Sequence, residues 1–344
     1  MPIALDATYS HGSELSGIGV YSREMLWGLA SAYPDTHFRF CYRPHRWTRS
    51  LSDRLPTNAS RALFDERWML PPGADLFHGL NQRLPSFRFR RSVCTFHDLF
   101  VMTGEYSSPE FRARFTTQAR AAAERCDLIV TVSAFTASQV EDLLGVEPSR
   151  IRVVHHGITS VCADAHKREP MILHVGAIQH RKNIVRLLRA FEQTGPEWRL
   201  VLAGSPNGYG AESVLAAIDS SPARERIELT GYISRDRLDA LYSRASIFAF
   251  PSLDEGFGMP VLEAMAHGVP VLSSARSALP EVCGDAAILV DPCSEQEITE
   301  ALLRLTKSPE LRQDYVSRGQ ERAAGFSWSE AIRKTWQVYS ELLD

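Results

Sequence analysis

Two glutamates, Glu255 and Glu263, stand eight positions apart in PSLDEGFGMPVLEAM, residues 251–265, with Gly-Phe-Gly-Met-Pro after the first. Gly256 and Gly258 rule out one continuous helix through both acids. Glu255 is therefore expected on a loop, and Glu263 in the first turn or so of a helix opened by Pro260. Two carboxylates facing one cavity from different elements suit a glycosidase, where an acid and a base or nucleophile stand roughly 5–10 Å apart. They equally suit a site in which one carboxylate, here Glu263, accepts the two vicinal hydroxyls of a ribose.

Further along the same half, HVGAIQHRKNIVRLLRAF sets His180, Arg181 and Lys182 between a strand and a helix starting near Asn183. Free N–H groups and the positive dipole end of a helix, joined by two cations, form an anion site. Arg181 can fork to two phosphate oxygens, and Lys182 supplies a mobile point charge. A solvated basic pair on a surface loop is the plainer reading, but cations beside a helix N-terminus oppose its dipole and need a compensating anion. A glycosidase needs no such terminus. Near the start, SGIGVYSREML places Gly17 and Gly19 after the first strand, where backbone can approach a ligand before a helix begins. A plain tight turn explains a lone GxG as well, since Ser22 stands where the dinucleotide fingerprint has its third glycine. In TFHDLF, His97 and Asp98 close a strand: His97 can donate to a substrate hydroxyl or to phosphate, and Asp98 can fix its tautomer or contact the substrate. A purely structural histidine fits that position too.

These residues need elements to hold them. Short apolar runs (IALDATY, FRFCY, DLFHGL, SVCTFHD, LIVTVS, IRVVHHG, then MILHVGA, WRLVLAGS, RIELTGY, SIFAFPS, VPVLSS) alternate with helical patterns, as in a parallel sheet wrapped by helices. Helices are expected at 19–33, 109–126, 134–144, 183–194, 211–219, 235–245 and 260–267, with three more from about 294 to 343. The chain of 344 residues exceeds one ordinary core. The expected division is an N-terminal Rossmann-like domain at 1–165, a linker at 166–170 (HKREP), a second Rossmann-like domain at 171–326, and a C-terminal helix at 327–344 crossing back to the first domain. The fold class is α/β, two doubly wound Rossmann-like domains facing across a cleft, with sites just beyond the carboxyl ends of strands.

Composition excludes several classes. Hydrophobic residues make up 44% and charged residues 23%, as in a soluble globular protein. No stretch approaches the ~20 apolar residues that span a bilayer. MPIALDATYSHG lacks a basic n-region, so no signal peptide is expected. The six cysteines form no CxxC pair and no zinc spacing, which points to a reducing cytoplasm. Residues 1–163 carry 18 Arg and 16 acids, and the remainder carries more acids than bases; neither half is basic enough for nucleic acid.

HRKN, LTGYISRDRLDALYSRASIFAFPSLDEGFGMPVLEAMAHGVPVLSS and ALPEVCGDAAILVDP together resemble glycosyltransferase family 4, retaining enzymes of the GT-B fold. SGIGVYSREML, TFHDLF and TVSAFTASQV are similar to the family's N-terminal half, so the resemblance covers nearly the whole chain. Glu255 to Glu263 matches its E-x7-E pattern. The resemblance implies that Arg181 and Lys182 hold the donor diphosphate and stabilise its leaving charge. Glu255, with Gly256, Phe257 and Gly258, would grip the donor sugar, and Glu263 the ribose. Tyr232 and Ile233 would hold the base, His97 would stand near the donor sugar, and Gly17 and Gly19 near the diphosphate. His156-Gly157 departs from the family's usual Asn-Gly, and GIG from its usual GG pair.

The function so implied is transfer of a hexose from a nucleotide-sugar with retention, without a catalytic metal or a separate cofactor. The sequence shows no DxD-like acidic pair with a ligand set, and cations plus a helix dipole can neutralise the leaving group. Likeness to mannosyltransferases of bacterial polysaccharide assembly makes GDP-mannose the first choice of donor; UDP-glucose and deoxyhexose donors are the alternatives. An epimerase or phosphorylase on the same fold, and an idle nucleotide-sugar-binding protein, are the rival functions. A phosphorylase normally depends on a pyridoxal-phosphate lysine, and of four lysines only Lys182 is placed at the cleft. The expected acceptor is a glycan or a polyprenyl-diphosphate-linked glycan. FRFCYRPHRWTR (38–49) and RLPSFRFRR (83–91) combine arginines with aromatics as at an anionic membrane interface, although a strand with solvated arginines and a polar loop explains them as well. The first leaves Arg43, Arg46, Trp47 and Arg49 spare, and the second supplies Arg88, Arg90 and Arg91. The expected location is cytoplasmic, peripheral on the inner membrane face.

Overall fold

A computed structural model describes residues 2–12, 15–71, 73–159 and 168–343. The chain divides into two units, one of Met1–Thr103, Pro109–Gly157 and Ser327–Asp344, the other of Gly104–Ser108 and Ile158–Phe326.

The first unit is built on strands β1 (Pro2–Asp6), β2 (His37–Tyr42), β3 (Ala59–Phe64), β4 (Met69–Leu70), β5 (Leu76–Gly79), β6 (Arg91–Phe96), β7 (Leu128–Thr131) and β8 (Ile151–Val153). Their order is β4-β3-β2-β1-β5-β6-β7-β8, parallel throughout except for the short β4 at the edge. β1, β5 and β7 are buried along nearly their whole length, as the continuous apolar runs require of strands covered on both faces. The helix Trp328–Leu343 packs on the helix Gly17–Ala32 at Gly28, where an added Cβ would run into Ile332 Cδ1. Trp336 stacks on Tyr33 with ring centroids 3.7 Å apart.

The second unit holds β9 (Glu169–Val175), β10 (Arg199–Ala203), β11 (Ile227–Gly231), β12 (Ala245–Phe250), β13 (Val271–Ser274) and β14 (Ala287–Val290). All pair in parallel, in the order β11-β10-β9-β12-β13-β14. This is the doubly wound order of dinucleotide-binding folds, and the sheet reverses direction between β9 and β12. The helix Ile184–Glu192 buries Ile184, Leu187, Leu188 and Phe191 against β9, β10 and β12.

Several expectations need correction. Of the linker at 166–170, His166 and Lys167 lie outside the described residues, while Glu169 and Pro170 open β9. Pro170 precedes Met171, where pairing with β10 begins, so the strand can forgo its N–H there, and Glu169 is drawn in by Arg199 and Arg244, each 2.6 Å away. ASRALF, whose apolar run is broken by Ser60 and Arg61, forms β3 beyond the expected strands. Pro44–Ser50, a polar loop on the plainer of the two readings, is a helix with Pro44 in its first turn. Arg43 is not spare: it is buried, 2.8 Å from Glu66, and lies over the Phe64 ring. Trp47 packs against the core.

Candidate active site

The loops leaving β9 and β12 meet at the reversal point of the second sheet. After β9 the chain makes one tight turn, His180–Lys182, then passes through Asn183 in the left-handed conformation before the helix Ile184–Glu192. After β12 it runs through Pro251–Gly258. Lys182 Nζ donates to Glu255 Oε1 at 2.6 Å, and Arg181 Nη1 lies 2.9 Å from Glu255 Oε2. Arg181 also donates to the Asp254 carbonyl. The three side chains are 9%, 9% and 10% exposed, so this is a buried ionic cluster rather than a surface pair.

Its electrostatics follow from that burial. Burial alone would raise the Glu255 carboxyl, but Arg181 and Lys182 outweigh it and hold the group at about 2. The Lys182 ammonium stands 4.5 Å from the Phe250 ring centroid. His174 lies behind on β9, and its Nδ1 donates to the Ala249 carbonyl. Burial holds this ring neutral, with a pKa of about 4. Two cations and a carboxylate are thus held together in a low-dielectric place, with the buried Asp254 next in the chain. The compensating charge that the cation pair demanded is supplied within the protein by Glu255.

The glycines beside Glu255 have a steric reason. Gly258 has φ 101°, and a Cβ there would lie 2.6 Å from Leu279 Cδ2. It caps the helix Met259–Ala266, which carries Glu263 in its second turn, slightly deeper than expected. Glu263 has partners of its own: Oε1 accepts from Arg235 and Oε2 from the Tyr242 hydroxyl at 3.1 Å. Phe257 is buried and meets Phe326 edge to face at 5.9 Å. Tyr232, just past β11, is 43% exposed, and Ile233 is half-buried.

In the first unit, His97 follows β6. Its Nε2 lies 3.0 Å from the Leu80 carbonyl, and a carbonyl only accepts, so Nε2 carries the proton. Burial holds the ring neutral, with a pKa of about 4. Nδ1 is therefore an acceptor, and the expected donation to phosphate is not available from this tautomer. The Leu80 carbonyl fixes that tautomer. His97 stacks on His156 at 5.4 Å and meets the Tyr21 ring at 4.7 Å. Beneath it runs a buried chain that sequence reasoning missed: Tyr339 hydroxyl to His78 at 2.6 Å, His78 to Thr95 at 2.8 Å, Thr95 to the Tyr21 hydroxyl at 2.9 Å. Those partners are up to 261 positions apart, which leaves no local signal. Gly17 and Gly19 lie inside the first helical turn, not on a loop before it. Ser16 caps that helix by accepting from the Gly19 N–H at 3.3 Å. Asn183 and Ser277 carry no chemical motif, and asparagine's tolerance of left-handed backbone is the one local signal at either position.

The family model described as "Glycosyltransferase Family 4" matches residues 22–160, and that described as "Glycosyl transferases group 1" matches residues 163–322. O-antigen chain mannosyltransferase B of Escherichia coli is 31% identical over 309 residues, which is 84% of this chain and 81% of the relative. The serotype-specific mannosyltransferase WbdA of Escherichia coli is 27% identical over 275 residues, or 74% of this chain, which spans 34% of that relative's length. Sucrose-phosphate synthase from Thermosynechococcus elongatus superposes with a TM-score of 0.81 at 21% identity over 99% of both chains, a likeness of fold. With two Rossmann-like sheets of the GT-B class, both family models and a relative 31% identical over 81% of its length, the chain is a glycosyltransferase and belongs to glycosyltransferase family 4.

Proposed function

We propose that this glycosyltransferase moves mannose from GDP-mannose to a glycan or polyprenyl-diphosphate-linked acceptor in polysaccharide assembly, with retention and without a catalytic metal. The observation that carries the reading is the buried Arg181–Lys182–Glu255 cluster at the sheet's reversal point. Its two preorganised cations suit a leaving diphosphate, and preorganised charges in a dry site act most strongly where charge develops. The mannosyltransferase relatives support the choice of sugar. In the proposed step the bond from the anomeric carbon to the diphosphate oxygen breaks and the acceptor oxygen bonds to that carbon on the same face. The acceptor's proton passes to the departing phosphate. Arg181 and Lys182 take up the diphosphate charge, while Glu255 and the backbone of Gly256, Phe257 and Gly258 hold the sugar hydroxyls. Glu263 takes the ribose, with lone pairs to spare beside Arg235 and Tyr242, and Tyr232 and Ile233 flank the base. His97 accepts from a sugar hydroxyl through Nδ1, and Gly17 and Gly19 contact the diphosphate. Peripheral docking on the inner face of the membrane, through Arg88, Arg90 and Arg91, belongs to the same proposal.

A thermal-shift panel of GDP, UDP, dTDP and ADP tests the donor: a nucleotide at 100 times its Kd adds about 2.7 kcal/mol of stability, and GDP should give the largest shift. Release of GDP from GDP-mannose should continue in excess EDTA. A larger shift with UDP or dTDP, or activity abolished by EDTA and restored by Mg²⁺, would overturn the donor or the metal-free mechanism respectively.

A further inference from the structure

Among the described residues, two that are not glycine have left-handed backbones, Asn183 with φ 58° and Ser277 with φ 56°. One adjoins the ionic cluster in the chain, and the other bonds to the backbone of Glu255. Asn183 follows Lys182 directly. Its buried amide donates to the carbonyls of Pro251 at 2.9 Å and Pro292 at 2.6 Å, and its oxygen accepts from Arg186 at 2.9 Å. The turn carrying both cations is thereby pinned to the segments that follow β12 and β14. Ser277 stands on the other side. Its hydroxyl accepts from the Glu255 N–H at 3.0 Å and donates to the Arg276 carbonyl at 2.7 Å. The next residue, Ala278, returns its N–H to the Glu255 carbonyl at 3.2 Å. Glu255 is thus gripped at both its backbone donor and its acceptor by consecutive residues.

Glycine would make either turn without strain, whereas a left-handed L-residue is unfavourable and persists only where its surroundings over-determine it. At both positions the side chain makes bonds that glycine lacks, and those bonds end on the chain segments holding Glu255 and the two cations. We propose that Asn183 and Ser277 are positioning residues of the transfer reaction, each accepting a strained backbone to hold one half of the Arg181–Lys182–Glu255 cluster in place. The catalytic part of this rests on the function proposed above; the positioning part does not.

Ser277→Gly separates the two roles because it relieves the strained backbone while removing the acceptor for the Glu255 N–H. A residue that only shapes a turn gains stability from that change and alters nothing else. Three readouts on the full chain decide the matter: the melting temperature, the Lys182 side-chain NMR resonance, and release of nucleoside diphosphate from the nucleotide-sugar. The chain has four lysines, so Lys182 is assigned by its loss in Lys182→Arg. Its position over the Phe250 ring sets it apart from exposed lysines. The expected result for Ser277→Gly is a melting temperature at or above wild type and a Lys182 resonance displaced toward those of Lys307 and Lys334. Turnover should fall roughly five- to tenfold, the size of one net hydrogen bond. Ser277→Asn, which tolerates the left-handed backbone and keeps an oxygen acceptor, should restore the resonance. Asn183→Gly should displace it too, with a lower melting temperature because two buried donors are lost. An unmoved Lys182 resonance in Ser277→Gly overturns the proposal whatever the turnover. A displaced resonance with unchanged turnover upholds the positioning and instead refutes the catalytic role of the cluster.

Discussion

Replacing Glu255 with glutamine tests the cluster most directly. The substitution keeps the shape of the side chain and removes its charge, leaving Arg181 and Lys182 buried without their carboxylate. Burial raises the Glu255 carboxyl, but Arg181 and Lys182 together bring it from 4.5 down to about 2. At about 1.36 kcal/mol per pH unit, that depression is worth about 3 kcal/mol. Breaking a buried ion pair on one side costs about 3–5 kcal/mol, which agrees. Because the folded group ionises more readily than the unfolded one, this stability is fully present above pH 4.5 and is lost as pH falls through about 2. Scanning calorimetry should therefore find the second unit of Glu255→Gln melting roughly 6–12 °C lower than wild type at pH 7, at 2–4 °C per kcal/mol for a unit of this size. The difference in stability should shrink to about 1.4 kcal/mol at pH 3 by the same linkage. Inorganic pyrophosphate should stabilise the variant more than wild type, since it supplies the missing anion. Equal melting at pH 7, or a gap that does not narrow in acid, would refute the electrostatic account of the cluster. Turnover of the variant should fall about 100-fold or more, because the carboxylate that holds the two charge-stabilising cations in place is lost.

Lys182→Ala should lower turnover by a similar factor, about 100-fold, and near-normal activity would remove Lys182 from the machinery. Glu263→Ala should raise KM for the nucleotide-sugar more than it lowers kcat, because ribose contacts are made equally in ground and transition states; a fall in kcat at saturating donor with KM unchanged would contradict this. Liposome co-sedimentation should require anionic lipid, weaken with salt and drop when Arg88, Arg90 and Arg91 become Ser. Arg90 is 74% exposed and stands 3.7 Å from Asp75, so its charge is only loosely held. Binding that ignores salt, or no binding, would favour an acceptor free in solution.

The sequence by itself determined the alternation of strands and helices, because parallel strands buried on both faces must be continuous apolar runs and their helices must be amphipathic. It also located Arg181, Lys182, Glu255 and Glu263, since a Gly-Phe-Gly break, a Pro-opened helix and a basic pair at a strand end are local features with local causes. Only the tertiary structure decided which of these meet. Glu255 stands 73 positions from Lys182, and they touch because β9 and β12 are neighbours where the sheet reverses. Strand order sets that contact; no periodicity encodes it. The same holds for β3, whose arginine and serine hid it until Phe38–Tyr42 lay beside it. It holds for Arg43, which looked spare until Glu66 and Phe64 packed against it. The His97 tautomer was undecidable for the same reason, since its partner is a carbonyl 17 residues away. The left-handed turns at Asn183 and Ser277 depend on what their side chains bond across the sheet. Residue types and spacing fix what a segment can do alone, whereas charge pairing, proton placement and strain depend on neighbours that only folding brings together.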